Sequence, residues 1–229
     1  LLFSYFSSTL YLVIGVGIIS SIIGVGCAWF VSAYNFTGRK YVEVILILPL
    51  TIPTYIAAYA YYDILEILNP IIIWTKNTVG LEGAVFIENI FVHMVVILLF
   101  SFVLYPYIYL SSRASLLVQG SKAIEVANML GVSSDRLLQK IIIPLIRPAI
   151  VAGLSLVVME TLNDYAAVEY FGVSTLTIGI FRSWFGMYDM NAALRLSTFL
   201  ITFVFLILAF EKFTRKGAKY DGSVSKTSL

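Results

Sequence analysis

The sequence predicts an all-α, polytopic membrane protein with five transmembrane helices. Of its 229 residues, 60% are hydrophobic and only 12% are charged, which is too apolar a composition for a soluble domain of this length. Five apolar runs are long enough, at about 1.5 Å per helical residue, to cross a bilayer about 30 Å thick. The five predicted spans are residues 9–31, 42–62, 85–110, 149–170 and 192–210.

The distribution of basic residues predicts the orientation of these spans. Twelve of the fifteen Lys and Arg residues lie in the segments that follow the first, third and fifth spans. Because basic residues are retained on the cytoplasmic side during insertion, we expect the N-terminus of this chain outside and its C-terminus in the cytoplasm. Topology thus accounts for the net charge of +2, and we expect no nucleic-acid partner.

Small residues and prolines in the first two spans predict how these helices pack and bend. Ser20, Gly24 and Ala28 recur every four residues in the first span, which indicates a groove for close helix contact. Pro49 and Pro53 each remove a backbone donor from the second span, so we expect a kink there.

The polar stretch between the third and fourth spans, residues 111–148, predicts a short helix, a sharp turn and a second helix. Gly131 ends the first helix, because glycine readily takes the left-handed conformation after a last turn. Ser133 or Ser134 can cap the second helix, and Asp135 is well placed in its first turn. One interpretation is an insert that lies on lipid headgroups; its charges of mixed sign favour the other, a protein partner.

The fourth span carries polar side chains that are costly in a membrane. Glu160, Asn163 and Asp164 fall at i, i+3 and i+4, so we expect them to share one helical face. Counting from Arg147 places Glu160 about 20 Å into the bilayer, where a carboxylate costs on the order of 3 kcal/mol. Either this face binds neighbouring helices through hydrogen bonds, or it meets a cationic ligand. His93 has no second ligand at a useful spacing, so we expect a hydrogen bond to a neighbouring helix and no metal site.

The polar insert has the spacing of a known family signature. The matching residues are Glu125, Val126, Ala127, Gly131, Ile141, Ile143 and Pro144. They resemble the EAA signature of ABC importer permeases, with Val126 in place of an alanine and Ile143 in place of a leucine. In that family the insert is the coupling helix, which docks on the ATPase subunit and carries its movement into the membrane.

The resemblance assigns ATPase-coupling roles within the insert. It implies that Glu125 faces a basic group of the ATPase, that Ala127 keeps the helix slim and that Gly131 sets its exit angle, while Pro144 closes the signature. The chain has no Gly-x4-Gly-Lys-Ser/Thr loop to bind nucleotide phosphates. The resemblance therefore implies no catalytic residue and no cofactor in this chain, with ATP used by a separate ATPase subunit dimer.

Nearly the whole chain resembles the first half of the large, two-part permeases of ferric-iron ABC importers. The most specific stretches are Met-Glu-Thr-Leu-Asn-Asp-Tyr, residues 159–165, and Tyr-Phe-Gly-Val-Ser-Thr-Leu-Thr-Ile-Gly-Ile, residues 170–180. The resemblance implies a type I ABC importer permease fold in a bacterial inner membrane. Residues 1–229 would form a single permease domain, with 111–148 as its cytoplasmic coupling loop. The second homologous half of that family lies beyond the match, so we expect a fragment or one partner of a split permease.

The same resemblance implies the partners and the substrate. The partners would be the ATPase dimer, a second permease half, a periplasmic or lipid-anchored binding protein that delivers ferric iron, and membrane lipid. Glu160, Asn163 and Asp164 would then line the substrate pathway or its gate. Permeases for thiamine, polyamines or anions share the pattern and stay open as alternatives. An ATP-independent secondary transporter or channel that uses the acidic face as a proton or cation site is the alternative from another class.

Overall fold

The computed structural model describes residues 2–63, 67, 69–120 and 134–216, and every regular element in these ranges is helical. The all-α prediction is therefore confirmed. In chain order, the α-helices of these ranges are α1 (Leu2–Ala33), α2 (Arg39–Ile45), α3 (Thr54–Tyr61), α4 (Asn69–Thr78), α5 (Leu81–Ser115), α6 (Ser134–Leu137), α7 (Ile143–Asn163), α8 (Ala166–Tyr170), α9 (Leu176–Phe181) and α10 (Met190–Lys216). Short 3-10 or π-helical turns follow or join them at Leu48–Thr51, Leu116–Gly120, Leu138–Ile142 and Arg182–Gly186.

Four continuous helical stretches are long and apolar enough to cross a membrane. They are Leu2–Ala33, Leu81–Val118, Leu138–Asn163 and Met190–Ala209. A fifth span arises if the bent pair Arg39–Thr51 and Thr54–Tyr61 is counted as one crossing. The structure therefore confirms the predicted polytopic architecture, and the bent pair corresponds to the predicted second span.

The second span turns a corner instead of bending gently. Its two parts meet at 89°, and the turn falls at Ile52 and Pro53. Ile52 is extended (φ −94°, ψ 113°), because the ring of a following proline disfavours helical geometry in the residue before it. Pro53 is also extended (φ −57°, ψ 138°) and precedes the first residue of α3. The predicted kink is confirmed, and it aims α3 across the bundle.

Helix α5 is held between α1 and α7 by a glycine on each side. A Cβ added to Gly24 of α1 would lie 2.9 Å from the Tyr105 carbonyl oxygen, and one added to Gly153 of α7 would lie 2.7 Å from the Ile108 Cα. Ile108 itself is fully buried. The close contact predicted from the small residues of the first span is confirmed, and the three helices form the core of the bundle.

The predicted fourth span is shorter than expected. Helix α7 ends at Asn163, and Asp164 is extended (φ −67°, ψ 123°) before α8 begins. The prediction of one helix over 149–170 was therefore wrong in its last third. The Asp164 side chain accepts a hydrogen bond from the Ala167 backbone N–H at 2.9 Å, and this capping geometry starts a new helix instead of continuing the old one.

The polar insert is described on both of its flanks. Helix α5 continues as a π-helical turn to Gly120, and on the far side α6 begins at Ser134, where the second insert helix was predicted. Pro144 lies in the first turn of α7, directly after a π-helical turn, so its missing N–H falls at a junction. Glu125, Ala127 and Gly131 lie outside the described residues, and their coupling roles stay predictions.

Candidate functional site

The predicted acidic face is only partly on one helix. Glu160 and Asn163 lie in the last turn of α7, and both side chains are exposed on this chain. Asp164 is the C-cap residue of α7: its N–H still donates to the Glu160 carbonyl oxygen at 3.1 Å, so it keeps its position four residues after Glu160, and its ψ of 123° ends the helix there. The structure thus separates one pair of polar groups, which faces away from the chain, from a third that is engaged within it.

Asp164 joins two parts of the chain that are distant in sequence. Its Oδ1 accepts from the Ala167 backbone N–H, which caps α8. Its Oδ2 accepts a short hydrogen bond from the hydroxyl of Thr54, the first residue of α3. The carboxylate therefore fixes the start of α8 to the corner of the bent second span, and both oxygens are in use.

The end of α7 is also fixed by the segment 170–180. The Thr177 hydroxyl donates to the Leu162 carbonyl oxygen at 2.6 Å, one of the last carbonyls that a helix leaves without an internal partner. On its other side, the Leu176 backbone N–H donates to the Thr9 hydroxyl of α1 at 2.9 Å. Helix α9 is thus anchored to both α1 and α7, and the break at Asp164 has a defined position.

Glu160 has a phenol beside it. The Tyr107 hydroxyl of α5 lies close to the Glu160 carboxylate, and the Tyr107 side chain is half-buried. Both ion pairs found among the described residues lie elsewhere, at Arg39, Glu43 and Arg113. A carboxylate on a membrane-spanning helix that is exposed and without a cation nearby needs water or another protein surface against it.

Aromatic rings pack α3 against α8 next to Asp164. The Tyr62 ring lies edge-on to Tyr170 with centroids 4.9 Å apart, and the Tyr59 and Tyr170 centroids are 6.0 Å apart. A pocket of about 440 Å³ opens beside them, lined by Tyr55, Ile56, Tyr59, Ala166 and Tyr170. Two tyrosines of the second span, Tyr55 and Tyr59, thus line a pocket between α3 and α8.

His93 lies apart from this site and makes contacts within its own helix and with α1. His93 Nδ1 lies 2.7 Å from the Asn89 carbonyl oxygen of its own helix, so the expected hydrogen bond to a neighbouring helix is wrong; the neighbour contributes the edge of Tyr11. Within the ranges that the structure describes, there is no group of three or more His, Cys, Asp or Glu residues placed to hold a metal.

Sequence reasoning missed Thr54 and Glu43. No local pattern marks Thr54, since its partner Asp164 is 110 residues away. Glu43 did carry a signal, because an acid four residues after Arg39 at the edge of an apolar run favours an ion pair on one helix face. The structure gives Glu43 two arginine partners.

The helical fold with four or five apolar spans, one of which carries exposed polar side chains, is that of a polytopic membrane protein. Residues 20–211 match the model of a family described as the binding-protein-dependent transport system inner membrane component, and the chain belongs to this family. It is an ABC importer permease, as the EAA-like signature predicted.

The individual relatives include permeases named for Fe(3+) transport and permeases named for sulfate transport. It is 27% identical over 209 residues to the Fe(3+)-transport system permease protein FbpB 2 of Haemophilus influenzae, which covers 91% of this chain and 37% of the relative. It is 25% identical over 173 residues to a probable sulfate transport system permease protein cysT of Helicosporidium, covering 71% of this chain and 58% of the relative. The sulfate permease CysT of Salmonella typhimurium is 23% identical over 154 residues, covering 67% and 53%.

The fold is similar to that of a solved permease. A chain from inward-facing structures of the MetNI methionine ABC transporter superposes with a TM-score of 0.71 and 17% identity, covering 95% of each chain. At this identity the likeness concerns the fold. The chain spans between about a third and three fifths of the length of the permeases named above.

Proposed function

We propose that this chain forms one half of the membrane path of an ABC importer that moves ferric iron from a periplasmic or surface binding protein into the cytoplasm. A second permease half completes the path, and a separate ATPase dimer hydrolyses the ATP. This chain binds no cofactor of its own. The relative FbpB 2, which is named as an Fe(3+)-transport permease, supports the choice of substrate.

The observation that carries the proposal is the exposed Glu160 carboxylate on α7. No cation among the described residues pairs with it, and lipid is a costly neighbour for a charge. A second permease half that packs against this face would enclose Glu160, Asn163 and Tyr107 in a polar path. If this face met lipid instead, its exposed carboxylate would be energetically unfavourable.

The chemistry of this face favours a cation. Carboxylate, amide and phenol oxygens are provided by Glu160, Asn163 and Tyr107, and hard cations take oxygen ligands. An uncompensated carboxylate repels an anion, which makes it an element of selection against oxyanions. Ferric iron is a hard cation of high charge and fits such a face.

Sulfate is the second candidate substrate, because relatives from several organisms are named as sulfate permeases. A sulfate path would place backbone N–H groups or basic side chains where the anion passes. In the described part of α7 and α8, the basic residue is Arg147, near the opposite end of α7 from Glu160. This arrangement favours the cation over the anion.

The transport cycle would be alternating access. The distribution of the basic residues predicts that the polar insert lies in the cytoplasm and the 170–180 segment outside. Closure of the ATPase dimer on ATP would move the segment from Glu125 to Gly131, and the path would change between outward and inward openings. ATP binding and hydrolysis by the ATPase supply the driving free energy, and differential contacts of the ATPase with the insert in the two states transmit it to the path.

The test is uptake of radiolabelled ferric iron in cells that lack other ferric-iron importers and carry the complete transporter. Glu160→Gln removes the charge with little change in shape, and we expect uptake to fall about tenfold at equal membrane abundance. Glu82→Gln, which removes an exposed carboxylate at the start of α5, is the matched control. If wild-type uptake is no greater than that of a deletion strain, ferric iron is excluded as the substrate. Labelled sulfate, thiamine and polyamines would then be tried.

A further inference from the structure

Glu43 is held by two arginines at the end of the bundle from which the polar insert leaves. Arg113 Nη2 lies 2.6 Å from Glu43 Oε2, and Arg39 Nε donates to Glu43 Oε1 at 3.1 Å. Arg39 also donates through Nη1 to the Asn35 side-chain oxygen at 2.9 Å. The three charged side chains are only 20–28% exposed, so both carboxylate oxygens are occupied in a partly dry setting.

The two ion pairs differ in what they connect. Arg39 and Glu43 are four residues apart on α2, so their pair is local to one helix. Arg113 belongs to the last turn of α5, eight residues before the undescribed part of the insert begins. The Arg113–Glu43 pair therefore joins the root of the insert to the first part of the bent second span.

The second part of that same span reaches the candidate path. At the far side of its 89° corner, Thr54 donates to Asp164, where α7 ends and α8 begins. A series of contacts thus runs from the insert root through Arg113 and Glu43, and along the bent span with its 3-10 turn and corner, to Thr54 and Asp164. Coupling between distant sites needs such physical connections together with an element that changes its arrangement.

Arg113 depends on Glu43 for its neutralisation. Its Nε is buried without a hydrogen-bond partner among the described residues, so the Glu43 contact at Nη2 compensates a guanidinium that is already partly desolvated. Removing one partner of such a pair leaves the other charge uncompensated. The insert root would then lose its defined position relative to the bent span.

We propose that Glu43 is a positioning residue for energy coupling: through Arg113 it ties movement of the insert root to movement of the bent second span. This inference rests on the proposed function, in that it requires import driven by a separate ATPase, but it does not depend on which solute is carried. Glu43 touches neither the solute nor the nucleotide in this role. Its effect appears in the number of solutes moved per ATP.

The experiment uses the complete transporter, with its ATPase and binding protein, reconstituted in lipid vesicles. ATP hydrolysis and uptake of labelled ferric iron are measured on the same preparation. For Glu43→Gln we expect hydrolysis within about twofold of wild type and at least about a fivefold loss of iron moved per ATP. The exchange Glu43→Arg with Arg113→Glu restores an opposite-charge pair. Made in an Arg39→Gln background, which avoids two arginines at i and i+4, it should recover most of the ratio shown by Arg39→Gln alone. Lys40→Gln, which removes a neighbouring exposed charge from the same helix, should leave it unchanged.

A second readout is independent of the solute. Spin labels at Ile52→Cys on the bent span and Ile22→Cys on α1, in a Cys27→Ser background, report the distance between these elements with and without ATP. Wild type should show an ATP-dependent change in distance, and Glu43→Gln should lose it while still hydrolysing ATP. A wild-type change without iron uptake would refute the substrate proposal alone and leave this inference supported.

Two outcomes would overturn the inference. The first is a Glu43→Gln transporter that keeps both its uptake per ATP and its distance change. The second is a proportional loss of hydrolysis, uptake and membrane abundance that the charge exchange does not rescue, since this pattern belongs to a purely structural ion pair.

Discussion

The hydroxyl of Thr54 donates to the carboxylate of Asp164, across 110 positions of sequence. One of these residues starts the second part of the bent span, and the other occupies the gap between α7 and α8. Two interruptions of helical geometry thus stabilise each other. Irregular backbone at membrane depth is tolerated where protein or a polar cavity surrounds it, and this pair provides such surroundings.

Asp164→Ala should destabilise the protein more than the loss of an ordinary helix cap does. A cap is worth about 1 kcal/mol, and the lost hydrogen bond to Thr54 adds about another 1 kcal/mol. Thermal unfolding of the purified protein in detergent measures the sum. Asp189→Ala is the matched control, because Asp189 accepts from the Ala192 backbone N–H with the same spacing. Equal shifts for the two variants would contradict a separate contribution from Thr54.

Asp164→Asn should separate the two roles of this side chain. Asparagine caps a helix nearly as well as aspartate, so α8 should stay in place and the unfolding temperature should fall only slightly. The charge-assisted bond from Thr54 becomes an ordinary one of roughly half the strength. We therefore expect lower uptake at nearly normal stability. Uptake unchanged in both Asp164→Asn and Glu160→Gln would remove these residues from the path.

Gly24→Ala should be destabilising, whereas Gly26→Ala two positions away should not. The added Cβ at Gly24 meets the Tyr105 carbonyl oxygen at 2.9 Å, whereas nothing lies within 4 Å of one added at Gly26. Forcing a methyl group into packed backbone costs about 1–3 kcal/mol, and alanine in an open helical position gains up to about 1 kcal/mol over glycine. Unfolding temperatures of the two variants give the comparison. A stabilised Gly24→Ala protein would show that α1 and α5 do not approach so closely.

Tyr107→Phe should reduce uptake without reducing stability. The substitution keeps the ring and removes the hydroxyl that lies beside Glu160. If the two groups act together, Tyr107→Phe should have little further effect in a Glu160→Gln background, which a double-mutant cycle on uptake rates would reveal. Tyr109→Phe is the control, because its hydroxyl is buried without a hydrogen-bond partner among the described residues. Additive effects on uptake would place Tyr107 outside the acidic site.

Glu125→Lys and Gly131→Arg should abolish uptake at normal membrane abundance. The resemblance to the EAA signature implies that Glu125 faces the ATPase and that Gly131 sets the exit angle of the helix. A reversed charge at the first position or a large side chain at the second should therefore prevent docking. Copurification of the ATPase subunit with the tagged permease measures the contact directly. Glu169→Lys, a charge reversal at an exposed residue of α8, should leave copurification intact. A permease that still binds its ATPase fully in both variants would contradict the coupling assignment.

Apolar length and small residues were enough to predict the helical framework. Spans one, three and five follow from hydropathy, and the tight contact of α1 with α5 follows from the repeat of Ser20, Gly24 and Ala28. The end of the fourth span did not follow, because residues 163–167 contain no proline or glycine to mark a break. Asp164 interrupts that helix by capping the next one, and its second partner, Thr54, is supplied by tertiary structure.

The candidate site was predictable in composition and not in arrangement. Two acids and an amide in an apolar run are conspicuous because of their cost, and this drew attention to residues 160–164. Which of them faces outward depends on where the helix stops, and that depends on a contact far along the chain. For Glu43 the local partner Arg39 was readable from the sequence, whereas the second partner, Arg113 on another helix, was not.

The two glycines that hold α5 restrict how this protein can move. The backbones of α1 and α7 both approach α5 closely around Ile108, and packing this tight resists sliding of one helix along another. We therefore expect these three helices to move together as one rigid body. Conformational change is then expected in the segments that lack such close packing, chiefly the bent second span. This span would act as a hinged element against the rigid unit of α1, α5 and α7.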